Sequence, residues 1–74
     1  MFSYNVVIGN HDCLVCPFEF DFLEDCLDSA CAEMRINKGR YFPLNVVGFI
    51  YHDYKLVKRI NYINGDVYSL EDCN

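Results

Sequence analysis

The chain has 74 residues, a formal net charge of −5 and 53% hydrophobic residues, among them six Phe and six Tyr. This length leaves room for one domain over residues 1–74, and the aromatic content argues against a disordered chain. The negative charge disfavours direct binding to nucleic acid or anionic lipid, because both require Lys and Arg to neutralise phosphate groups, and it favours a basic protein as partner.

Neither a signal peptide nor a membrane span is predicted. No basic residue precedes the short apolar stretch at the N-terminus, and the longest strongly apolar run, residues 46–51, is far below the roughly 18 residues of a spanning helix. The chain has five cysteines, an odd number. With no export signal, this number favours reduced thiols, so we expect a cytoplasmic protein with no membrane partner.

The first half of the chain predicts two strands. Apolar and polar residues alternate over residues 2–8, which is typical of a strand with its even-numbered positions buried. A turn at 9–12 leads to a second strand at 13–18. Pro17 has no backbone N–H, so this second strand should lie at an edge of the sheet or end at the proline.

A helix is predicted from Asp21 to about Asn37. Asp21 can cap the helix, and Glu24 three residues later completes a variant of the capping box. Basic residues near the end and Gly39 as the left-handed residue predict its C-terminus. Its apolar stripe consists of Phe22, Leu23, Cys26, Leu27, Ala30 and Met34.

The second half of the chain predicts three strands. Residues 44–51 are apolar on both faces, as in a central strand with Leu44, Val46 and Ile50 on the buried side. A turn at 52–55 leads to a strand at 56–63. Asn64-Gly65 favours a type I′ hairpin to a last strand at 67–70. The order ββαβββ predicts an α+β fold, with an antiparallel four- to five-stranded sheet and one helix packed on one face.

One helix can cover only one face of such a sheet. We therefore expect an uncovered apolar patch, with Phe49 and Tyr51 as anchors for a partner or for a second copy in a homodimer. The alternative is that loop 39–43 or the C-terminal tail folds over it. The predicted patch contains Val47, Phe49 and Tyr51, with Val57 or Ile63 as further members.

Acidic residues dominate the helical region. Six of the eleven carboxylates lie between Glu19 and Glu33, where there is no Lys or Arg. At 100° per residue, one helical arc carries Asp21, Glu24, Asp25 and Asp28. The first two are explained by helix initiation. The last two add like-charge neighbours that each cost about 0.2–0.5 kcal/mol, so they favour a partner-binding surface, with solubility as the alternative.

Metal binding and catalysis receive little support from the sequence. His11, Cys13 and Cys16 have the spacing of metal ligands, but zinc would need a bend at this segment and a fourth ligand from Cys26, Cys31 or Cys73. Buried thiols are the alternative reading. The chain has no nucleophile motif, Gly-rich phosphate loop, His-Glu-x-x-His or calcium loop. We expect a protein that is not an enzyme and carries no cofactor.

The leading functional hypothesis is an inhibitor that acts by occlusion. Its acidic helix would dock on a basic surface of a larger protein, such as a nucleic-acid-binding complex, with the sheet aromatics as anchors. In its small size, acidity and content of Asn and Tyr, the chain resembles the small phage-encoded inhibitors of host nucleases and defence systems, including anti-CRISPR proteins. The alternatives are a structural zinc module using His11, Cys13 and Cys16, and a homo-oligomeric subunit using the Phe49 face.

Overall fold

The computed structural model describes residues 1–10, 12–64 and 67–73, apart from the side chains at 63, 64 and 67. The sheet is five-stranded and antiparallel throughout, in the order β2-β1-β3-β4-β5. With one helix on the sheet, the predicted α+β fold and the order ββαβββ are confirmed. The elements are β1 (Phe2–Ile8), β2 (Asp12–Val15), α1 (Leu23–Arg40), β3 (Val46–His52), β4 (Lys55–Asn64) and β5 (Val67–Asp72).

The core lies between α1 and one face of the sheet. In β1 the residues Tyr4, Val6 and Ile8 are buried while their neighbours are less so, as the alternation in sequence predicts, because successive strand residues point to opposite faces. The helix packs against β1 and β3. The other buried apolar residues are Cys26, Ala30, Met34, Val46, Ile50 and Ile60.

Gly48 in β3 allows α1 to approach the sheet closely. A Cβ atom added to Gly48 would lie 2.8 Å from Met34 Sδ and 3.4 Å from the side chain of Ile60. Met34 is fully buried. Its side chain therefore occupies the space above Gly48, and the absence of a side chain at this point of the central strand is a packing requirement.

β2 is an edge strand, as Pro17 predicted, but it is shorter than expected. It covers Asp12–Val15 rather than residues 13–18. Beyond it, the backbone N–H of Cys16 still donates to the carbonyl of Tyr4 at 3.3 Å. The chain then leaves the ladder at Pro17, which has no N–H to donate.

The predicted start of the helix was wrong. The residue at the N-cap is Phe22, with φ −118° and ψ 140°, and no side chain caps the helix. The reason lies upstream, where Phe20 exchanges two backbone hydrogen bonds of 2.8 Å with Phe2. This pairing holds Phe20 in an extended conformation, so Asp21 lies in the bend before the helix and cannot cap it.

The predicted end of the helix was also wrong. α1 continues through Gly39 to Arg40, and the C-cap is Tyr41 with φ −110°. Asn37, expected near the end, is buried, and its side-chain amide donates to the carbonyl of Glu33 at 2.7 Å. Because this amide is satisfied inside the helix, Asn37 does not interrupt it.

The strand predicted at residues 44–51 begins two residues later than expected. The backbone N–H of Leu44 donates to the carbonyl of Tyr41 at 2.8 Å, so Leu44 belongs to a turn and is 38% exposed. β3 nevertheless occupies the centre of the sheet as predicted. Its two faces carry the expected residues, with Val46 and Ile50 buried against α1.

A bulge changes the side on which Val57 lies. The register between β3 and β4 shifts between Ile50 and Tyr51, so that Tyr51 pairs with Leu56. Val57 consequently packs against the core instead of joining the uncovered face, and its expected place there was wrong. The side chain of Ile63, the other suggested member, lies outside the described part of the chain.

The last two strands pair as predicted, with Ile60 opposite Leu70 and Tyr62 opposite Tyr68. Both strands extend beyond their predicted limits, to Lys55–Asn64 and Val67–Asp72. The Gly65 of the predicted Asn64-Gly65 turn lies outside the described residues.

Two ionisable side chains, one from β1 and one from α1, are buried in the core between the helix and the sheet. Burial raises the pKa of Tyr4 to about 12, although its hydroxyl is hydrogen-bonded to Ser29 Oγ at 3.0 Å. Burial, with a smaller effect of Cys16, raises the pKa of the Cys26 thiol to about 11. Both groups are therefore held neutral by the folded state over a range in which the unfolded chain ionises.

We predict that Gly48 and Met34 are energetically coupled. Gly48→Ala should reduce the free energy of unfolding by about 1–3 kcal/mol, because the added methyl group meets Met34 Sδ. In a Met34→Ala background the same substitution should cost clearly less, since the space above residue 48 is then open. Urea unfolding of the four members of this double-mutant cycle measures the coupling. An equal cost in both backgrounds would contradict the proposed contact.

We also predict alkaline destabilisation. A folded-state pKa raised above the unfolded value gives stability that is fully present below the unfolded pKa and is lost as pH rises through the folded one. The free energy of unfolding should thus fall from pH 9.0, the ordinary value for a Cys thiol, toward about 12. Tyr4→Phe should reduce the free energy of unfolding by about 1 kcal/mol at neutral pH, because the hydrogen bond to Ser29 is lost. Between pH 9.0 and about 12, however, the free energy of unfolding should fall less in this variant than in the unmodified chain, because phenylalanine does not ionise. Urea unfolding in reductant tests this, and an unchanged pH dependence in Tyr4→Phe would refute it.

Candidate functional site

The four acidic residues expected on one helical arc are all at the surface. Glu24 and Asp25 lie in the first turn of α1, and Asp28 follows in the next turn. Asp21 precedes the helix and is also exposed. Within the described residues, none of these four carboxylates forms an ion pair. Their charges are therefore available to a partner.

The two expected aromatic anchors lie on the opposite side of the molecule. Phe49 and Tyr51 alternate with Gly48 and Ile50, which face α1, so their side chains point to the face without a helix. The acidic arc lies on the outer surface of that helix. A flat partner surface cannot contact both groups at once.

The helix-free face is less apolar than predicted. Phe49 and Tyr51 are half-buried, and the guanidinium carbon of Arg59 lies 6.0 Å from the centre of the Phe49 ring. Arg59 Nε donates to Asn61 Oδ1 at 3.0 Å, and Asn61 in turn donates to Glu71 Oε1 at 3.1 Å. Polar groups thus interrupt the expected apolar patch.

As far as residue 73, where the description of the C-terminal tail ends, neither segment expected as a cover lies over this face. Gly39 and Arg40 complete the helix on the other side of the sheet, and Tyr41 packs against the core. The C-terminal segment continues beside β4, where the N–H of Cys73 donates to the carbonyl of Val57 at 2.8 Å.

The segment between β2 and α1 connects the two sides of the molecule. Its backbone pairs with β1 at Cys16 and again at Phe20, and the three residues between them form an excursion from the sheet edge. This excursion carries Phe18, which is 70% exposed, and the exposed Glu19. Phe22 at the start of the helix is 65% exposed.

Acidic and aromatic residues are thus interleaved around one edge of the molecule. We call the five exposed carboxylates of this region the acidic edge: Glu19, Asp21, Glu24, Asp25 and Asp28. Phe18 and Phe22 project among them. Unlike Phe49 and Tyr51, these two aromatic side chains lie in the same chain segment as the acidic residues that precede and begin α1.

The charged amino group of Met1 lies near acidic residues of this region. The terminal amino group of Met1 forms an ion pair with Asp53, which lies in the turn between β3 and β4. The hydrogen bond to Asp53, and then the charges of Asp53, Glu19 and Asp21, raise the pKa of this amino group. The same pairing lowers the pKa of Asp53. Asp53 therefore belongs to the same acidic region as Glu19 and Asp21.

A cleft of about 640 Å³ opens beside the excursion, on the helix-free side. Aromatic rings line it together with the carboxylate of Glu19. The hydroxyl of Tyr51, also in the lining, lies 3.5 Å from the side-chain amide of Asn5. The lining residues are Ser3, Tyr4, Asn5, Val15, Cys16, Pro17, Phe18, Glu19, Tyr51 and Tyr54.

Tyr54 in this lining has a strained backbone. The turn between β3 and β4 has positive φ at Asp53 and Tyr54, of 51° and 70°. Asn and Gly are the residues preferred in such turns, and a left-handed conformation costs other residues about 1–2 kcal/mol. Tyr54 is 86% exposed, and its hydroxyl donates to Glu19 Oε1 at 3.2 Å.

The suggested zinc ligands are not brought together. Cys13 is exposed and pairs with Val7 on the helix-free side, whereas Cys16 packs against the core. Within the described ranges, no group of three His, Cys, Asp or Glu side chains could hold a metal ion. His11 lies outside those ranges.

The thiol of Cys31 is half-buried. Burial, and next the charge of Asp28, raises its pKa.

Sequence reasoning missed the exposed aromatic residues of this region. The helical angle of Phe22 predicts a place in the buried stripe, but Phe22 lies at the N-cap, outside the helix. The predicted strand at 13–18 includes Phe18, but β2 ends at Val15. The signal that could have identified Tyr54 is its position in a two-residue hairpin turn, where a bulky residue is unusual.

Comparisons with protein families, curated proteins and solved structures gave no match to this chain. In the part of the chain that the structure describes, no helix has both the length and the apolar character needed to cross a membrane.

We predict that a capping side chain at residue 22 would stabilise α1. Phe22→Ser should increase the free energy of unfolding by about 0.5–2 kcal/mol, because the serine hydroxyl can accept a hydrogen bond from the first turn. The backbone already has the extended conformation that a capping residue needs. Thermal unfolding followed by circular dichroism measures the effect, with Phe22→Ala as the non-capping control. Equal stability of the two variants would contradict it.

Proposed function

We propose that this protein binds a basic surface of a larger protein and inhibits it by occlusion. The observation that supports this proposal is the acidic edge, with five exposed carboxylates and two exposed phenylalanines between the end of β2 and the second turn of α1. A basic surface that normally binds nucleic acid is the complementary target, because an array of carboxylates presents charge of the same sign as a phosphate backbone.

Long-range attraction and local packing would have separate roles in this complex. Exposed ion pairs contribute about 0–1 kcal/mol each, so the carboxylates mainly accelerate and orient the encounter. Stable binding needs desolvated anchors, and aromatic residues commonly provide them at interfaces. Phe18 and Phe22 are placed to do so. Phe49 and Tyr51 could contribute only if the partner reaches around the edge of the sheet to the helix-free face.

The proposed class of inhibitor rests on the resemblance in size, acidity and composition to the small phage-encoded inhibitors. A domain of 74 residues with net charge −5 is sufficient to mask one binding groove. Such masking requires no reaction, cofactor or metal from the inhibitor itself. We therefore propose an anti-defence role of the phage-encoded, anti-CRISPR type, in which the target is a nucleic-acid-binding complex.

We predict that reversing two charges of the acidic edge weakens partner binding. Asp25→Lys with Asp28→Lys should reduce affinity at least about tenfold at low salt, and the difference from the unmodified chain should shrink at high salt as screening grows. The partner is first identified by capture from a host lysate and mass spectrometry. Its affinity for each variant is then measured by calorimetry at both salt concentrations.

The matched control carries the same change in net charge elsewhere. Asp12 and Glu71 are exposed residues of the two edge strands, outside the acidic edge. Asp12→Lys with Glu71→Lys should retain most of the affinity, and circular dichroism should show the same fold in both variants. Equal weakening by the two pairs, or unchanged binding at low salt, would reject the acidic edge as the binding surface. Failure of the unmodified chain to displace nucleic acid from the partner would reject occlusion.

A further inference from the structure

The cleft beside the acidic edge has the chemistry of a cation site. Aromatic rings of Phe18, Tyr51 and Tyr54 line it, and the carboxylate of Glu19 lies at the same opening. The faces of aromatic rings attract cations, and a carboxylate beside them can accept charge-assisted hydrogen bonds from the same cation.

Tyr54 connects these features. Its ring is 86% exposed, so the residue adds little to the core, yet it occupies a turn position with φ 70° where Gly or Asn would be unstrained. Its hydroxyl donates a hydrogen bond to Glu19 Oε1 at 3.2 Å. Strained residues are concentrated at functional sites, because a stability cost persists where another role requires the side chain. Tyr54 both forms a wall of the cleft and orients its carboxylate.

We propose that this cleft receives an arginine side chain of the partner protein. A guanidinium group is planar and stacks on tyrosine rings, and it can donate two parallel hydrogen bonds to a carboxylate such as that of Glu19. Lysine offers neither the planar face nor the paired donors. The cleft is continuous with the acidic edge through Phe18 and Glu19, so an arginine can enter it from a basic partner that reaches around the edge of the sheet. The assignment of this arginine to a partner protein rests on the proposed function.

The test uses the intact chain, labelled with ¹⁵N, and blocked tripeptides Gly-Arg-Gly, Gly-citrulline-Gly and Gly-Lys-Gly. Citrulline has the shape of arginine without its charge. We expect saturable chemical-shift changes at Glu19, Tyr51 and Tyr54 with the arginine peptide, and at least about tenfold weaker binding of citrulline. The lysine peptide should also bind more weakly than the arginine peptide. Equal affinity of arginine and citrulline, or of arginine and lysine, would overturn the assignment.

Two variants test the residues that form the site. Tyr54→Gly should raise the melting temperature, because glycine adopts positive φ without strain, and it should weaken arginine binding at least about tenfold. Glu19→Gln should weaken binding with little change in stability, whereas Glu71→Gln, its control on the opposite sheet edge, should not. Retention of affinity in Tyr54→Gly or Glu19→Gln would overturn the proposal.

The outcome is separable from that of the proposed function. If the arginine peptide fails to bind while Asp25→Lys with Asp28→Lys still abolishes partner binding, the cleft assignment alone is wrong. If the peptide binds and the charge reversal leaves partner affinity unchanged, the cation site stands and the acidic-edge mechanism is rejected.

Discussion

The packing of α1 across the centre of the sheet is the contact on which the rest of this structure depends. Met34 fills the space above Gly48, and this close approach buries one face of β1, β3 and β4. Among the described residues, α1 is the only helix, and it covers one face of the sheet. The same contact fixes which side of the helix faces solvent, and so it presents Asp25 and Asp28 outward.

Local patterns were sufficient to predict the architecture. The alternation of Tyr4 and Val6 with Ser3 and Asn5 predicts the buried face of β1, and Pro17 predicts the edge position of β2. Both features depend only on strand geometry and backbone donors. Features set by distant residues were not predictable in this way. The Phe2 and Phe20 pairing moved the helix start past Asp21, and the bulge in the pairing of β3 with β4 turned Val57 toward the core.

The candidate site likewise has features that local sequence patterns predict and features that depend on distant residues. That Asp25 and Asp28 are exposed follows from helical spacing and could be predicted. The cleft could not, because it arises where an excursion from the sheet edge meets a turn far along the chain, bringing Glu19 to Tyr54. The structure exposes acidic and aromatic side chains along residues 18–28, whereas polar groups interrupt the face around Phe49.

We propose that one continuous surface, from the turn at Tyr54 across residues 18–28, binds a basic partner. Chemical-shift mapping of the ¹⁵N-labelled chain with its captured partner is the measurement that tests this proposal. The largest changes should fall at Tyr54 and within residues 18–28, with little change at Asn61 and Glu71 in the last two strands of the sheet. Changes confined to Asn61, Glu71 and the outer strand β5, with residues 18–28 unaffected, would contradict it.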